Sequence, residues 1–226
     1  MILLVAATER EMHPLSRSLA PSAEYQTCVT GIGPLEAAIS ITRMLASLKG
    51  ATPELVLLFG VGGAYPEGGS CVLDLCLATH EIWADYGIRY DDRVEPFCDP
   101  ALSTDTVFPL DNARIERSCA TLARHGINSR SGVFVTVSCA SGTGKRGREL
   151  YLRHRGICEN MEGAAVARVL KDFGIPCVEV RCISNMVEDR DLSRWNLEGA
   201  VAKCASAAAL LLDEFAGRTL SKAERS

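Results

Sequence analysis

A carboxylate lies at a predicted junction between a strand and a helix in the second half of the chain. Residues 158–162, Cys-Glu-Asn-Met-Glu, begin as a short buried strand, and apolar residues then recur at helical spacing as far as Phe173. Gly174 is typical of a helix end, and Pro176 prevents continuation. Glu162 therefore has two interpretations. It can stabilise the positive end of the helix dipole, or it can bind a ligand at the carboxyl end of a strand.

Polar side chains also follow two other predicted strands. Glu11 comes soon after the first apolar strand, and Thr8-x-x-Glu11 has the spacing of a capping box. Ser184 and Asn185 come after a second apolar strand, where a Ser-Asn pair is also typical of a turn. These residues have structural interpretations as well as functional ones. Three such places at strand ends nevertheless favour a ligand site there.

Two glycine-containing segments partly match phosphate-binding motifs. Residues 60–63, Gly-Val-Gly-Gly, begin like a dinucleotide fingerprint, but Tyr65 occupies the position of its last small residue. Residues 141–146 resemble half of a P-loop, yet Cys139 replaces its first glycine and Arg146 replaces its magnesium-binding hydroxyl. We therefore predict no nucleotide hydrolysis. The glycines are expected to let the backbone approach a flat or sugar-like ligand.

Composition excludes several classes of function. The 226 residues are 47% hydrophobic and carry a net charge of −4, so no basic surface predicts binding to nucleic acid or to an anionic membrane. The apolar N-terminal segment lacks a preceding basic region and is expected to be a strand, not a signal peptide. Ten scattered cysteines and four separated histidines show no metal-ligand spacing, which predicts reduced thiols in a cytoplasmic protein without a metal site.

The order of the elements predicts the α/β fold class. Strands are expected at 2–7, 25–30, 54–59, 72–78, 132–137 and 177–183, in addition to the short strand before Glu162. Helices are expected at 8–19, 34–50, 111–125, 144–155, 162–173 and from about 196 to 215. Residues 79–110 form the least regular region and are predicted to be a lid or binding loop. This alternation predicts one three-layer α/β/α domain over residues 1–217, followed by a polar tail at 218–226.

Four segments together resemble the nucleoside phosphorylase and nucleosidase superfamily. They occur in that superfamily's order and spacing, at residues 6–11, 60–63, 160–164 and 181–185. The resemblance extends over nearly the whole chain, and within the superfamily it is similar to the futalosine hydrolases. The segments that carry this second similarity are 83–87, 141–143, 159–163, 189–191 and 195–197. The resemblance implies a central twisted sheet that is mixed but mostly parallel.

The resemblance also implies a role for individual residues. Glu162 corresponds to the acid that binds the ribose 2′- and 3′-hydroxyls, and Met161 corresponds to the residue that packs against the sugar. Glu11 corresponds to the acid that orients and deprotonates the attacking water, and capping by the same residue is compatible with that role. Val61 and Gly62 correspond to residues that line the ribose and the water.

Asn185, with Ser184 beside it in the substrate-binding set, corresponds to the residue that reads the base. Adenosine-type nucleosidases have Asp at this position. Asn can donate to O6 and accept from a protonated N7, but it cannot supply a proton as a general acid. Asn185 therefore implies a hypoxanthine base and disfavours adenine.

The implied function is hydrolysis of futalosine to hypoxanthine and dehypoxanthine futalosine, in a route to menaquinone, by a homo-oligomer that needs no cofactor. Three alternatives remain open: another purine nucleoside as substrate, such as aminofutalosine, methylthioadenosine or adenosylhomocysteine; a phosphate-dependent phosphorylase; and a non-catalytic nucleoside-binding module. Lys145, Arg146 and Arg148 form a positive patch, which is either solvated or binds the substrate's carboxylate.

Overall fold

Strands and helices alternate along the described part of the chain, as predicted. The structure, a computed structural model, describes residues 1–20, 22, 24–91 and 93–217, so the predicted tail at 218–226 lies outside the described residues. The strands are β1 (Ile2–Ala6), β2 (Tyr25–Val29), β3 (Leu55–Ala64), β4 (Leu75–Trp83), β5 (Ile88–Arg89), β6 (Val94–Glu95), β7 (Val107–Pro109), β8 (Ser129–Thr136), β9 (Cys158–Asn160) and β10 (Cys177–Met186). The helices are α1 (Glu9–Ser18), α2 (Pro34–Ser47), α3 (Asn112–Arg124), α4 (Gly144–His154), α5 (Gly163–Phe173) and α6 (Leu197–Phe215).

Eight strands form one mixed sheet, and β5 and β6 form a separate hairpin. The pairs β1–β2, β1–β3, β3–β10, β4–β8 and β8–β9 are parallel, whereas β4–β10, β3–β9 and β4–β7 are antiparallel. The mostly parallel sheet implied by the resemblance is therefore confirmed. Strand β3 pairs with β1, β9 and β10, so β3, β10, β4, β8 and β9 close a circuit of paired strands. This circuit places the short strand β9 beside the carboxyl-terminal half of β3, next to that of β10.

The helices cover the sheet in two layers, which confirms the three-layer α/β/α fold. Strand β1 is buried along its whole length, and its side chains alternate between two cores. Ile2 and Leu4 pack with α1, α3 and α6 on one face, whereas Leu3 and Val5 pack with α2 and α5 on the other. No helix in the described part of the chain is long and apolar enough to cross a membrane.

Three predicted boundaries were wrong. Residues 60–64 were predicted to be a loop after a strand that ends at Phe59, but they continue β3 because β9 and β10 pair with them. Strand β10 likewise continues to Met186 instead of ending at Ile183. The region 79–110 contains the second half of β4, the β5–β6 hairpin and β7, so it is not one irregular loop. These strand segments contain glycine and polar residues, so apolar periodicity did not predict them.

Candidate active site

A cavity of about 460 Å³ lies at the carboxyl ends of β1, β3, β9 and β10. This volume is within the roughly 300–1,000 Å³ typical of small-molecule sites. The cavity brings together all the residues predicted from the sequence to form the site: Glu11, Val61, Gly62, Met161, Glu162, Ser184 and Asn185. Further lining residues lie in the segments that carry the resemblance but were assigned no role from the sequence; they include Ser141, Glu159, Arg181, Arg190 and Trp195.

Glu11 is buried at the start of α1 and uses its two carboxylate oxygens differently. Oε2 accepts hydrogen bonds from the backbone nitrogen and the hydroxyl of Thr8, at 3.0 and 2.8 Å, so the predicted capping box is present. Oε1 accepts from the backbone nitrogen of Val61, at 2.9 Å, and keeps a second lone pair. Capping therefore orients the carboxylate in the cavity wall and leaves an acceptor site on Oε1.

Gly60 makes room for this carboxylate. A Cβ atom built on Gly60 would lie 2.5 Å from Glu11 Oε1 and 3.0 Å from Nη1 of Arg181. The glycine-rich part of β3 therefore lets site side chains approach the strand, in addition to any approach of a ligand to the backbone.

Glu162 lies at the N-terminus of α5 but does not cap it. Its Oε1 accepts from the backbone nitrogen of Gly33, at 3.1 Å, and its Oε2 accepts from Nη1 of Arg181, at 3.3 Å. The end of the helix is capped by other residues: Asn160 Oδ1 accepts from the nitrogens of Glu162 and Gly163, and the Thr136 hydroxyl accepts from that of Ala164. Glu162 is thus not needed as a cap, which favours the ligand-binding interpretation of this carboxylate.

Arg181 is the main site residue that sequence reasoning missed. Its guanidinium is buried and donates to Glu179 Oε1 at 2.9 Å, to the carbonyl of Val61 at 3.2 Å and to Glu162. Burial alone would lower the pKa of Arg181, but Glu179, Glu162 and Glu11 raise it above its ordinary value, so the side chain is charged. Glu179 and Arg181 alternate within an apolar strand, and this spacing could have placed both on one face.

Asn185 reaches the cavity because β10 contains a bulge. The register between β10 and β3 shifts between Ile183 and Asn185, so that Asn185 pairs with Gly63. A Cβ atom built on Gly63 would lie 3.2 Å from Asn185 Nδ2, so the amide extends over the space that the glycine leaves. Asn185 Oδ1 accepts from the Ser184 hydroxyl, at 2.9 Å, and Nδ2 donates to the carbonyl of Met186. One amide hydrogen and one lone pair remain for a ligand.

Glu159 is a third buried carboxylate in the cavity wall, and the sequence assigned it no role in the site. Its Oε1 accepts from the backbone nitrogen of Ser141, at 2.8 Å, and its Oε2 accepts from the hydroxyls of Ser141 and Tyr65, at 2.7 and 3.1 Å. Burial raises the pKa of Glu159, and the hydrogen bonds from Ser141 and Tyr65 oppose that shift. Glu159 therefore fixes the loop before α4 against the cavity.

Comparisons with known proteins identify the family of this chain. Residues 22–216 match the model of a family described as the phosphorylase superfamily. Futalosine hydrolase of Thermus thermophilus is 34% identical over 83% of this chain and 81% of its own length, and that of Streptomyces coelicolor is 34% identical over 81% and 76%. The chain belongs to the phosphorylase superfamily and to its futalosine hydrolase family. The fold also matches the native structure of futalosine hydrolase of Helicobacter pylori strain 26695, with a TM-score of 0.81, 19% identity and coverage of 94% and 97%.

Membership in the futalosine hydrolase family confirms the predicted enzyme class, an N-glycosyl hydrolase of the nucleosidase type. The basic patch predicted near α4 does not line the cavity of this family member. Arg146 is paired with Asp85 at 2.8 Å, and Arg148 lies 4.0 Å from Glu67. Among the described residues, three arginines line the cavity: Arg10, Arg181 and Arg190. Arg10 is paired with Glu198, and the guanidinium of Arg190 stacks on Trp195 at 4.7 Å.

A second carboxylate pair supports the site of this hydrolase family member from behind. Glu81 is fully buried and accepts from the Thr136 hydroxyl, at 2.7 Å, and from Asn160 Nδ2, at 2.6 Å. Burial and the neighbouring Glu179 raise the pKa of Glu81 well above its ordinary value. Glu179 Oε2 has no other hydrogen-bond donor among the described residues, so a proton on Glu81 satisfies it. In its protonated form, Glu81 donates to Glu179 and holds it against Arg181.

This arrangement predicts that stability falls as the pH rises. Between the ordinary pKa of a carboxyl group and the raised pKa of Glu81, the folded state keeps a proton that the unfolded state has released. The contribution of Glu81 to the free energy of unfolding therefore decreases with pH across that window. Glu81→Gln keeps a donor toward Glu179 but removes the titration, so we expect a flatter dependence. Urea denaturation of both proteins from mildly acidic to alkaline pH measures this difference, and parallel curves would contradict it.

Proposed function

We propose that this protein hydrolyses the N-glycosidic bond of futalosine and releases hypoxanthine and dehypoxanthine futalosine. The observation that carries the proposal is the convergence of two buried carboxylates, Glu11 and Glu162, with the Asn185 amide in one cavity. The curated relatives named futalosine hydrolase support the choice of substrate. We place the reaction in the futalosine route to menaquinone, in the cytoplasm, and both placements remain predictions from the sequence.

Cleavage of the glycosidic bond builds positive charge on the ribose and negative charge on the leaving base. In the proposed complex, Glu162 accepts hydrogen bonds from the ribose 2′- and 3′-hydroxyls, and Met161 packs against the sugar. A carboxylate at this position stabilises the developing positive charge more strongly in the transition state than in the ground state. The buried Arg181 donates to Oε2 of Glu162 and holds that carboxylate in place.

Glu11 activates water on the face of the sugar opposite the base. Its Oε1 is held by Val61 and retains a lone pair for the water, to which it can act as a general base. Nη2 of Arg181 is buried, and no described residue accepts a hydrogen bond from it. This buried group adds to the positive charge beside the two carboxylates. Val61 and Gly62 form the adjacent wall. The proposed reaction uses the substrate, water and side chains of this protein, without a cofactor.

Asn185 stabilises the leaving base in this mechanism. The free amide hydrogen donates to O6. The leaving base takes up a proton from solvent at N7, which balances the proton that Glu11 removes from the water, and the free lone pair of Oδ1 accepts from that N7–H. Ser184 fixes the orientation of the amide by donating to Oδ1. The amide matches a 6-oxopurine, and it presents a donor to the amino group of a 6-aminopurine.

Asn185→Asp is expected to change the preference between these bases. An unpaired buried donor costs about 1–3 kcal/mol, which corresponds to roughly one to two decades of selectivity. The variant should lose activity on futalosine and gain activity on aminofutalosine, because a carboxyl group accepts from the amino group. The ratio of kcat/KM for the two substrates in wild type and variant measures the effect. A ratio that does not change means that Asn185 does not read the base.

A direct assay separates the proposed function from its rivals. The purified protein is incubated with futalosine, aminofutalosine, inosine and methylthioadenosine, with and without phosphate, and the free bases are chromatographed. We expect hypoxanthine from futalosine without phosphate. Turnover that requires phosphate identifies a phosphorylase, preferred release of adenine identifies a different nucleosidase, and binding without release of base identifies a binding module.

We also propose that residues 1–217 form one domain that assembles as a homo-oligomer. Ile32, which borders the cavity, is 61% exposed, and Leu35 on α2 is 70% exposed. Leu35 also lines an apolar groove of about 330 Å³. Contiguous exposed apolar residues of this kind are typical of interfaces. Sedimentation equilibrium of the wild type and of Leu35→Asp tests the assembly, and a monomeric wild type would contradict it.

A further inference from the structure

Glu159 and Asn185 lie on opposite sides of Gly63 at the base of the cavity. Gly63 pairs with Asn185 of β10 on one side and with Glu159 of β9 on the other. Neighbouring strands are about 4.8 Å apart, so the Cα atoms of Asn185 and Glu159 are separated by roughly 10 Å. Because paired residues on neighbouring strands share a face of the sheet, the two polar side chains flank the gap that the glycine leaves.

The hydrogen bonds of Glu159 leave one acceptor site open. A carboxylate has about four lone-pair sites. Oε2 uses both of its sites, for the hydroxyls of Ser141 and Tyr65, whereas Oε1 uses one, for the backbone nitrogen of Ser141. One acceptor site on Oε1 therefore remains. Glu159 lines the cavity and is only 6% exposed. A ligand N–H group can occupy this acceptor site.

We propose that Glu159 is a specificity-determining residue, and that its carboxylate accepts a hydrogen bond from N1–H of a 6-oxopurine base whose O6 and N7 face Asn185. This inference rests on the proposed function, because it places a 6-oxopurine in the cavity. N1–H is the donor next to O6 on the edge of hypoxanthine. In adenine, N1 is an acceptor whose lone pair would face the carboxylate, so the same residue that binds hypoxanthine also rejects adenine.

A purely structural role for Glu159 predicts a different result. If Glu159 only held Ser141 and the loop before α4, its replacement would weaken the binding of all purine bases by a similar factor. If Glu159 reads N1, its replacement changes the ratio between bases. The relative affinities of hypoxanthine, 1-methylhypoxanthine and adenine therefore distinguish the two roles.

The test measures the Kd of these three free bases by calorimetry for wild type, Glu159→Gln and Glu159→Ala. Glu67→Gln is the matched control, because it removes one negative charge outside the cavity lining. In wild type we expect hypoxanthine to bind at least tenfold more tightly than adenine or 1-methylhypoxanthine. Glu159→Gln should reduce the preference over adenine about tenfold, since a hydrogen bond to a charged acceptor is roughly twice as strong as a neutral one. Glu159→Ala should remove the penalty for the N1-methyl group, and Glu67→Gln should change neither ratio.

Failure of this inference differs from failure of the proposed function. Equal weakening of all three bases in both Glu159 variants, or a wild type that binds 1-methylhypoxanthine as tightly as hypoxanthine, overturns the role of Glu159 even where futalosine is hydrolysed. A wild type that prefers adenine also overturns it, because a protonated Glu159 would then donate to N1. Absence of futalosine hydrolysis overturns the proposed function, whereas calorimetry with free bases still measures whether N1 is read.

Discussion

Glu11→Gln is expected to reduce kcat on futalosine by about 10²–10⁴-fold, the usual contribution of a general base. The glutamine side chain has the same size and still reaches the cavity wall, but its amide cannot remove a proton from water. Substrate affinity should largely survive, because the ribose and base contacts are assigned to Glu162 and Asn185. Single-turnover kinetics and equilibrium binding of futalosine to the variant measure the two effects separately.

The capping role of Glu11 requires its own control. Thr8→Ala removes the hydroxyl that binds Glu11 Oε2 and leaves the carboxylate itself in place. Loss of this cap should lower the free energy of unfolding by about 1 kcal/mol. It should reduce kcat by much less than Glu11→Gln does. If the two variants lose turnover equally, or if Glu11→Gln is nearly as active as wild type, Glu11 is a helix cap and not the base.

Local sequence patterns predicted the helices and the buried strands well. The capping box at Thr8, the proline that begins α2 and the glycine that ends α5 each act on neighbouring residues, so their effect can be read directly from the chain. The extension of β3 could not be predicted in this way. Residues 60–64 are strand because β9 and β10, about a hundred residues or more further along the chain, pair with them. Such long-range pairing leaves no signal in a glycine-rich segment.

The resemblance led to the residues that line the cavity, but not to the charges behind them. Arg181 and Glu179 were read as parts of an apolar strand, and Glu81 was placed in an irregular region. Their importance comes from burial: one guanidinium balances several carboxylates, and one carboxyl keeps its proton. Burial of this kind depends on the closed circuit of strands, which follows from the tertiary structure and not from any local pattern.

Glu162→Gln is expected to reduce kcat roughly 10²–10³-fold, as for other groups that stabilise charge only in the transition state. The substitution keeps the side chain's size and removes the charge opposite the developing positive charge of the ribose. The Michaelis constant should change much less than kcat, because the interaction tightens as the bond breaks. Steady-state kinetics on futalosine provide both quantities.

Glu179→Gln is the matched control for this variant. Glu179 also binds Arg181, at 2.9 Å, but it does not line the cavity, so its replacement changes the charge around Arg181 without touching the substrate. If Glu162 acts on the ribose, Glu162→Gln should lose far more turnover than Glu179→Gln. Equal losses in the two variants would mean that both act through Arg181. If Glu162→Gln changed only the Michaelis constant, Glu162 would be a binding residue. Its carboxylate would then stabilise the bound substrate and the transition state equally.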